Sequence, residues 1–214
     1  RHVLLKDGSI GILNDEWMTK YGTIIRHGKI AKTEIKVARW LAFEQKTGVD
    51  DCVMKQVLPQ AWWHKWRKWQ DGTEPVYPVP ESIKATLRPY QQKGFEWMLL
   101  LSEAGAGGCL ADDMGLGKTL QTICYLAHEL AKKPASRFLI VSPSSLIFNW
   151  QQELAKFAPH ISTCVYHGIA RTIESITNET ASVIITSYGT VRSDIEALKD
   201  ISFEIIVLDE SHHI

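Results

Sequence analysis

Short apolar runs alternate with longer amphipathic stretches from residue 85 onward. The short runs are rich in valine, isoleucine, leucine and aromatic residues, which is typical of buried strands. We predict strands at Phe138–Ser142, Thr163–Tyr166, 183–186 and Ile205–Leu208, and a further short strand at 108–111. The longer stretches place apolar residues at helical spacing. We predict helices at Pro89–Glu103, Lys118–Lys132 and 145–157, and one that follows residue 186 and runs through Leu198.

This alternation predicts the fold class of residues 85–214. Strands that are separated by helices along the chain form a parallel sheet with helices on both faces, so the class is α/β. Ligands bind such sheets beyond the carboxyl ends of the strands. Functional side chains are therefore expected in the loops that follow the strands.

The first 70 residues predict a small α+β module. Two apolar segments, 3–5 and 10–13, flank the turn residues Asp7-Gly8-Ser9, which indicates a β-hairpin. Residues 14–17 are typical of a helix start, and residues 35–43 have the period of an amphipathic helix. The segment 71–84 contains three prolines that exclude a regular helix, so it is predicted to be an extended strap. The larger domain then spans 85–214.

Four tryptophans crowd into residues 61–69, with basic side chains between them. Trp62, Trp66 and Trp69 fall on one face of a predicted helix. Aromatic rings alternating with cations could grip a nucleic acid. Alternatively, the helix is amphipathic and buries its tryptophans against the rest of the protein. We favour packing, and both interpretations stay open at the level of sequence.

Composition narrows the functional classes. The chain has 214 residues, of which 45% are hydrophobic and 22% charged, as in ordinary globular proteins. No apolar run reaches membrane-spanning length, and no signal-peptide pattern begins the chain. The four cysteines are widely spaced, which excludes a zinc site and favours reduced thiols in a cytoplasm. Cys109 and Cys124 lie among apolar residues, so we predict that both are buried.

The charge distribution does not by itself indicate a polyanionic partner. The net charge is zero. Residues 1–86 contain 14 Lys and Arg against 10 Asp and Glu, a balance of +4, and residues 87–214 contain the reverse, a balance of −4. Neither value is large enough to predict nucleic-acid binding without further evidence.

The segment Asp112-Asp113-Met114-Gly115-Leu116-Gly117-Lys118-Thr119 has the pattern of a loop that binds nucleotide phosphates. Glycines allow a tight turn that points backbone N–H groups at phosphate oxygens, and a lysine and a hydroxyl follow. The general pattern G-x-x-x-x-G-K-[ST] has glycine where this chain has Asp112, so the match is incomplete. The loop lies between a predicted strand and a predicted helix, whose N-terminus adds partial positive charge. We therefore predict a phosphate loop, with Lys118 as its catalytic cation.

Two carboxylates follow the predicted strand Ile205–Leu208. Asp209 is suited to hold Mg²⁺, together with the hydroxyl of Thr119, and Glu210 is suited to orient and polarise an attacking water. Alone, the pair could be an exposed acidic turn. Together with the phosphate loop it predicts nucleotide hydrolysis with Mg²⁺, with Glu210 and Lys118 as catalytic residues and with Thr119 and Asp209 as metal ligands.

These segments resemble, in order, the motifs of the SWI/SNF-type DNA-dependent ATPases of helicase superfamily two. The resemblance covers about residues 85–214 and includes Leu87-Arg88-Pro89-Tyr90-Gln91, the phosphate loop, Ile140-Val141-Ser142-Pro143 with Asn149-Trp150, Tyr166-His167-Gly168, Thr186-Ser187-Tyr188 and Leu208-Asp209-Glu210-Ser211-His212. In that family aspartate normally occupies the position of Asp112, and Ser211 replaces an alanine. The accessory module is similar to a region that precedes the motor in bacterial-type members.

The resemblance implies a RecA-like P-loop NTPase lobe and a set of nucleotide contacts. Gln91 would recognise the adenine edge. In the family, a second lobe supplies arginine fingers. That lobe is not among these residues, which stop just past the acidic box. The residues predicted to bind the nucleotide are Arg88, Gln91, Met114, Gly115, Leu116, Gly117, Lys118, Thr119 and Leu120.

Loops after the strands are the predicted nucleic-acid contacts, because hydroxyls and backbone N–H groups suit phosphate contact without sequence readout. Pro143 and the serines after it could instead serve only as a helix cap. The predicted contacts are Pro143, Ser144, His167, Gly168, Ser187 and Tyr188.

The resemblance leads to a functional prediction. We expect the ATP-binding lobe of an ATPase that translocates on double-stranded DNA and remodels protein–DNA complexes, in a bacterial cytoplasm and on the nucleoid when engaged. Without a second lobe the fragment is expected to bind ATP but to hydrolyse it poorly. Two alternatives are an RNA-directed helicase and a nucleotide-binding adaptor that docks on RNA polymerase or another DNA-bound protein.

Overall fold

The computed structural model describes residues 2–4, 8–12, 15, 29–31, 34–36, 59–72, 77–177 and 181–211. The chain divides into two compact units. The first comprises residues 1–72 and 100–108, and the second comprises residues 73–99 and 109–214. No helix among the described residues is long and apolar enough to cross a membrane. A domain boundary within the strap at 71–84 stays a prediction.

The described residues of the first unit include two short antiparallel hairpins. Strand β1 (His2–Leu4) pairs with β2 (Ile10–Ile12), which confirms the predicted hairpin. Strand β3 (Lys29–Ala31) pairs with β4 (Glu34–Lys36). The helix predicted at 35–43 is therefore wrong at its start, because cross-strand pairing takes those residues. The rest of that helix, and most of the helix start at 14–17, lie outside the described residues.

Helix α1 (Gln60–Asp71) carries the tryptophans. It ends where Gly72 adopts a left-handed φ of 65° and donates its N–H to the Lys68 carbonyl. Trp62 is buried, and its indole N–H donates to the carbonyl of Leu100, 2.8 Å away, within the same unit. The Trp62 and Trp66 rings stack with centroids 5.2 Å apart. These contacts agree with the packing interpretation for this helix.

The second unit contains a parallel sheet of four strands in the order β6-β7-β5-β8. Its strands are β5 (Phe138–Ser142), β6 (Thr163–Tyr166), β7 (Val183–Ser187) and β8 (Ile205–Leu208). Its helices, numbered after α1, are α2 (Pro89–Glu103, whose last turn belongs to the first unit), α3 (Lys118–Lys132), α4 (Ile147–Phe157), α5 (Glu174–Thr177), α6 (Tyr188–Ser193) and α7 (Ile195–Leu198). The predicted α/β class is confirmed.

The core of this unit follows from the alternation of side chains along β5 and β7. Leu139, Val141 and Ile184 pack with Tyr166, Ile176 and Leu198 in one cluster. The intervening residues of the same strands point to the opposite face, where Phe138, Ile140 and Ile185 are fully buried. Two-sided burial explains why β5 and β7 read as continuous apolar runs.

Three details differ from the sequence prediction. No strand forms at 108–111 among the described residues, because glycines at 107 and 108 offer no side chain to pack. Cys109 is consequently exposed, contrary to prediction, whereas burial raises the pKa of the Cys124 thiol to about 12. Strand β8 is only half-buried, since it pairs with β5 alone among the described strands.

Helix boundaries shifted at two places. The helix predicted at 145–157 begins as a 3₁₀ turn, Ser144–Leu146, and becomes α-helical at Ile147. The helix predicted to run through Leu198 is split into α6 and α7 at Asp194. The carboxylate of Asp194 forms an ion pair with Arg171, so a tertiary contact lies at the point where the helix is interrupted.

Candidate functional site

The phosphate loop leads directly into α3. Gly117 is the residue before the helix and has φ +80°, and Gly115 has φ +82°. Both values lie in the left-handed region that side chains with a Cβ rarely adopt. A Cβ on Gly117 would also lie 2.4 Å from the side-chain nitrogen of Gln91. The sequence therefore needs glycine here for both its backbone conformation and its close contact.

Lys118, the first residue of α3, folds back over the loop. Its ammonium group donates to the carbonyl of Asp112 at 2.6 Å and to that of Asp113 at 3.1 Å. These neutral acceptors hold the cation at the helix N-terminus, where an anion is favoured. A phosphate oxygen would be a stronger, charge-assisted acceptor for the same ammonium. The loop therefore fits a nucleotide phosphate.

Gln91 is tied to the phosphate loop by both ends of its amide. Its oxygen accepts from the N–H of Arg88 at 2.9 Å, and its nitrogen donates to the carbonyl of Leu116 at 3.0 Å. The hydroxyl of Tyr90 donates to the same carbonyl at 3.2 Å. The segment predicted to recognise adenine and the phosphate loop are thus joined at the carbonyl of Leu116. Sequence reasoning did not assign Tyr90 a role, although it lies beside Gln91.

Asp112 also has a structural partner that sequence reasoning missed. The side-chain amide of Gln121 donates to its carboxylate at 3.2 Å, linking the start of the loop to α3. Gln121 is fully buried, and among the described residues its amide oxygen has no hydrogen-bond partner. The signal in the sequence was a glutamine beside the apolar positions Ile123 and Cys124. This contact gives a reason for aspartate where the general pattern has glycine.

Replacing Gly94 with Ala is expected to destabilise the chain by roughly 1–3 kcal/mol, the usual cost of overpacking. The new Cβ would lie 1.9 Å from the amide oxygen of Gln121, which is buried and cannot move into solvent. The double variant Gly94→Ala, Gln121→Ala is expected to cost less than the two single changes added together, because the clash disappears. Denaturation midpoints of the four proteins test this. Strict additivity would contradict the contact.

Asp209 is held at three of its atoms. Its N–H donates to the carbonyl of Val141 at 2.8 Å, which extends the pairing of β8 with β5. Its carboxylate oxygen Oδ2 accepts from the indole N–H of Trp150 at 2.8 Å. Its carbonyl accepts from the hydroxyl of Tyr188 at 2.7 Å. Burial, followed by the charges of Asp209 and Glu210, raises the pKa of that tyrosine.

Glu210 has an unusual backbone conformation. Its φ of 51° is the only positive value at a non-glycine residue among those that the structure describes. A side chain in this region costs about 1–2 kcal/mol and is characteristic of functional turns. The strain lies directly after Asp209, at the carboxyl end of β8, where ligands of such sheets bind.

The donor set fits Mg²⁺. An aspartate with one engaged oxygen, a second carboxylate and the Thr119 hydroxyl are the oxygen groups that this ion takes with nucleotide phosphates. The cation and the acidic residue of this site each have their own hydrogen-bond partners. Lys118 donates to a carbonyl of its own loop, and Asp209 accepts hydrogen bonds from Trp150 and Tyr188.

The sequence matches the SNF2-related domain over residues 90–214. The chain belongs to the SNF2-related family. It is 43% identical over 144 residues to the putative ATP-dependent helicase/translocase YwqA of Bacillus subtilis, covering 65% of this chain and 16% of that protein. It is 39% identical over 151 residues to the TATA-binding protein-associated factor MOT1 of Saccharomyces cerevisiae, covering 64% of this chain and 8% of that protein.

Solved structures of SNF2 proteins share the fold. The SWI2/SNF2 ATPase core of Sulfolobus solfataricus in complex with dsDNA is 39% identical, with a TM-score of 0.57, and the match covers 64% of this chain and 29% of that one. A second structure, of the SWI2/SNF2 ATPase core domain of the same archaeon, is 42% identical with a TM-score of 0.56, and the match covers 65% of this chain and 27% of that one. The RecA-like fold prediction is confirmed. This SNF2-related chain spans less than a third of the relatives and structures named here.

The predicted nucleic-acid residues of this SNF2-related lobe follow β5, β6 and β7 and therefore share one edge of the sheet. Ser144, His167 and Gly168 are exposed, whereas Ser187 is buried and caps α6 by accepting the N–H of Thr190. His167 contacts the hydroxyl of Thr190 at 3.2 Å. Nucleic-acid contact at these positions stays a prediction.

One cation at this edge was not foreseen. Arg171 forms a bidentate pair with Asp194, with distances of 2.7 and 3.0 Å, and donates to the Gly168 carbonyl at 2.6 Å. The hydroxyl of Tyr166 donates to the same carboxylate at 2.8 Å. The hydrogen bonds from Arg171 and Tyr166 lower the pKa of Asp194. In this SNF2-related lobe the pair fixes the loop that carries His167 and Gly168.

Proposed function

We propose that this chain is the ATP-binding lobe of a DNA-dependent ATPase that moves along duplex DNA and remodels protein–DNA complexes. The observation that carries the proposal is the occurrence, in one SNF2-related domain, of a phosphate loop with Lys118 at a helix N-terminus and an acidic pair at a strand end. The archaeal relative described with bound dsDNA supports duplex DNA as the ligand.

Each side chain of the site has a distinct task in this proposal. Lys118 exchanges its carbonyl partners for phosphate oxygens and neutralises their charge. Thr119 and Asp209 would hold Mg²⁺, which would neutralise charge on the phosphates. Glu210 accepts a hydrogen bond from the attacking water and orients it. Gln91 selects adenine, and its amide has a second N–H and a second lone pair beyond those used in its hydrogen bonds with Arg88 and Leu116.

The finer parts of the proposal rest on the resemblance. They are a bacterial-type protein, a cytoplasmic location with recruitment to the nucleoid, and docking on RNA polymerase or another DNA-bound protein.

The test is ATP turnover by the full-length protein with no nucleic acid, with duplex DNA, with single-stranded DNA and with double-stranded RNA. We expect duplex DNA to give the largest stimulation. Stronger stimulation by RNA would favour the RNA-directed helicase. Nucleotide binding without turnover under any of these conditions would favour the adaptor and overturn the proposal.

A further inference from the structure

Asp209 lies against two aromatic side chains, Trp150 and Tyr188, which we call the aromatic bracket. Trp150 is in α4, the helix that follows β5, and only 2% of it is exposed. Tyr188 is the first residue of α6, the helix that follows β7. The bracket therefore connects the acidic strand end of β8 with two neighbouring strand ends of the same sheet.

The Trp150 contact selects one oxygen of the carboxylate. An indole has a single donor and no acceptor, so this side chain can only donate its N–H. It donates to Oδ2 of Asp209 at 2.8 Å, and the acceptor carries a charge, which makes the hydrogen bond a strong one. The bond orients the carboxylate and leaves Oδ1 as the oxygen that the indole does not engage.

The backbone of the same residue is held independently. The N–H of Asp209 donates to Val141, and its carbonyl accepts from Tyr188. The next residue has the strained φ of 51°. Such a conformation persists only where surrounding contacts determine it. The bracket supplies those contacts from outside the acidic strand, which is itself half-buried.

We propose that Trp150 is a positioning residue for Asp209, which orients the carboxylate so that Oδ1 serves the metal ion. The inference rests on the proposed function, because it assumes that Asp209 is a metal ligand. Residues that hydrogen-bond to metal ligands fix their orientation, and their loss typically weakens metal affinity by 10–100-fold. Trp150 hydrogen-bonds in this way to the carboxylate of Asp209, and Tyr188 hydrogen-bonds to the backbone carbonyl of the same residue.

A purely structural role is the competing explanation, because Trp150 is buried among core residues. The two explanations differ in one measurable quantity. A packing defect would weaken nucleotide binding with and without Mg²⁺ alike. A positioning defect would reduce only the gain in affinity that Mg²⁺ provides.

The experiment measures equilibrium binding of a fluorescent, non-hydrolysable ATP analogue to the full-length protein, in EDTA and in Mg²⁺. The test variant is Trp150→Phe, which keeps an aromatic ring and removes the N–H. We expect its affinity in EDTA to equal that of the unaltered protein, and the gain from Mg²⁺ to fall by about tenfold. An unchanged gain would overturn the inference, and so would equal weakening under both conditions.

Further variants make the result decisive. Asp209→Ala must itself reduce the gain from Mg²⁺; if it does not, the proposed metal role fails, not merely the inference. Tyr188→Phe removes only the hydroxyl and is expected to reduce the gain less than Trp150→Phe does. If Trp150→Phe does not fold, the measurement is made on Trp150→Leu, which also removes the N–H, and an unchanged gain there would overturn the inference. Phe148→Leu, at an exposed position of the same helix, is the control and is expected to change nothing.

Discussion

Replacing Glu210 with Gln in the full-length protein is expected to lower ATP turnover by about 10²–10⁴-fold, the usual contribution of a group that accepts or polarises a proton in the transition state. Glutamine has the same shape and can still contact water, but it lacks the negative charge. The site around it should survive, because Asp209 keeps its bonds to Val141, Trp150 and Tyr188. ATP affinity is therefore expected to change little.

Steady-state ATP turnover and equilibrium ATP binding, both with duplex DNA, check this expectation. Glu204→Gln is the matched control. Glu204 lies just before β8, is exposed and pairs with Lys133 at 2.5 Å. The same chemical change there should leave turnover as it was. If Glu210→Gln retained most of the turnover, the group that orients the water would have to be sought elsewhere.

Much of the fold could be predicted because the second unit follows simple rules. β5 and β7 are buried on both faces and therefore read as unbroken apolar runs. The phosphate loop could be predicted because its glycines are required by the backbone, with positive φ at Gly115 and Gly117. These features depend on local sequence, which is where pattern reasoning is strongest.

The supporting contacts could not be predicted in this way. Gln121 with Asp112, Trp150 with Asp209 and Arg171 with Asp194 each join residues that only tertiary structure brings together. Glutamine, tryptophan and arginine have many possible roles in a helix or loop. Their types alone do not identify their partners, so the support of the site appeared only with the fold.

Two of the predictions that failed concern strands of the sheet. A strand was expected at 108–111 and full burial at β8, from short apolar runs that do resemble buried strands. Burial depends on neighbours, and among the described strands β8 has only β5. Ile206 and Leu208 are in fact half-exposed, at 57% and 50%. An apolar run therefore predicted the existence of the strand but not the number of its partners.

Residues 1–214 by themselves are expected to hydrolyse ATP roughly 10³–10⁵-fold more slowly than the full-length protein, the range attributed to an arginine finger in phosphoryl transfer. The family resemblance implies that this arginine comes from a second lobe. Arg171, which lies near the carboxyl ends of the strands, is already held by hydrogen bonds to Asp194 and Gly168. It is therefore poorly placed to serve as a substitute.

Single-turnover hydrolysis with the protein in saturating excess over ATP, and with duplex DNA present, compares the two proteins without a contribution from differences in affinity. Binding of a fluorescent ATP analogue to residues 1–214 should remain measurable and should be lost in Lys118→Ala, because this lobe contributes the phosphate loop. If residues 1–214 bind the analogue but do not hydrolyse ATP, they have the contacts that bind the ground state and lack contacts that stabilise the transition state. Equal rates for the two proteins would mean that the groups described here are sufficient, and that the second lobe serves movement along DNA and not the chemical step.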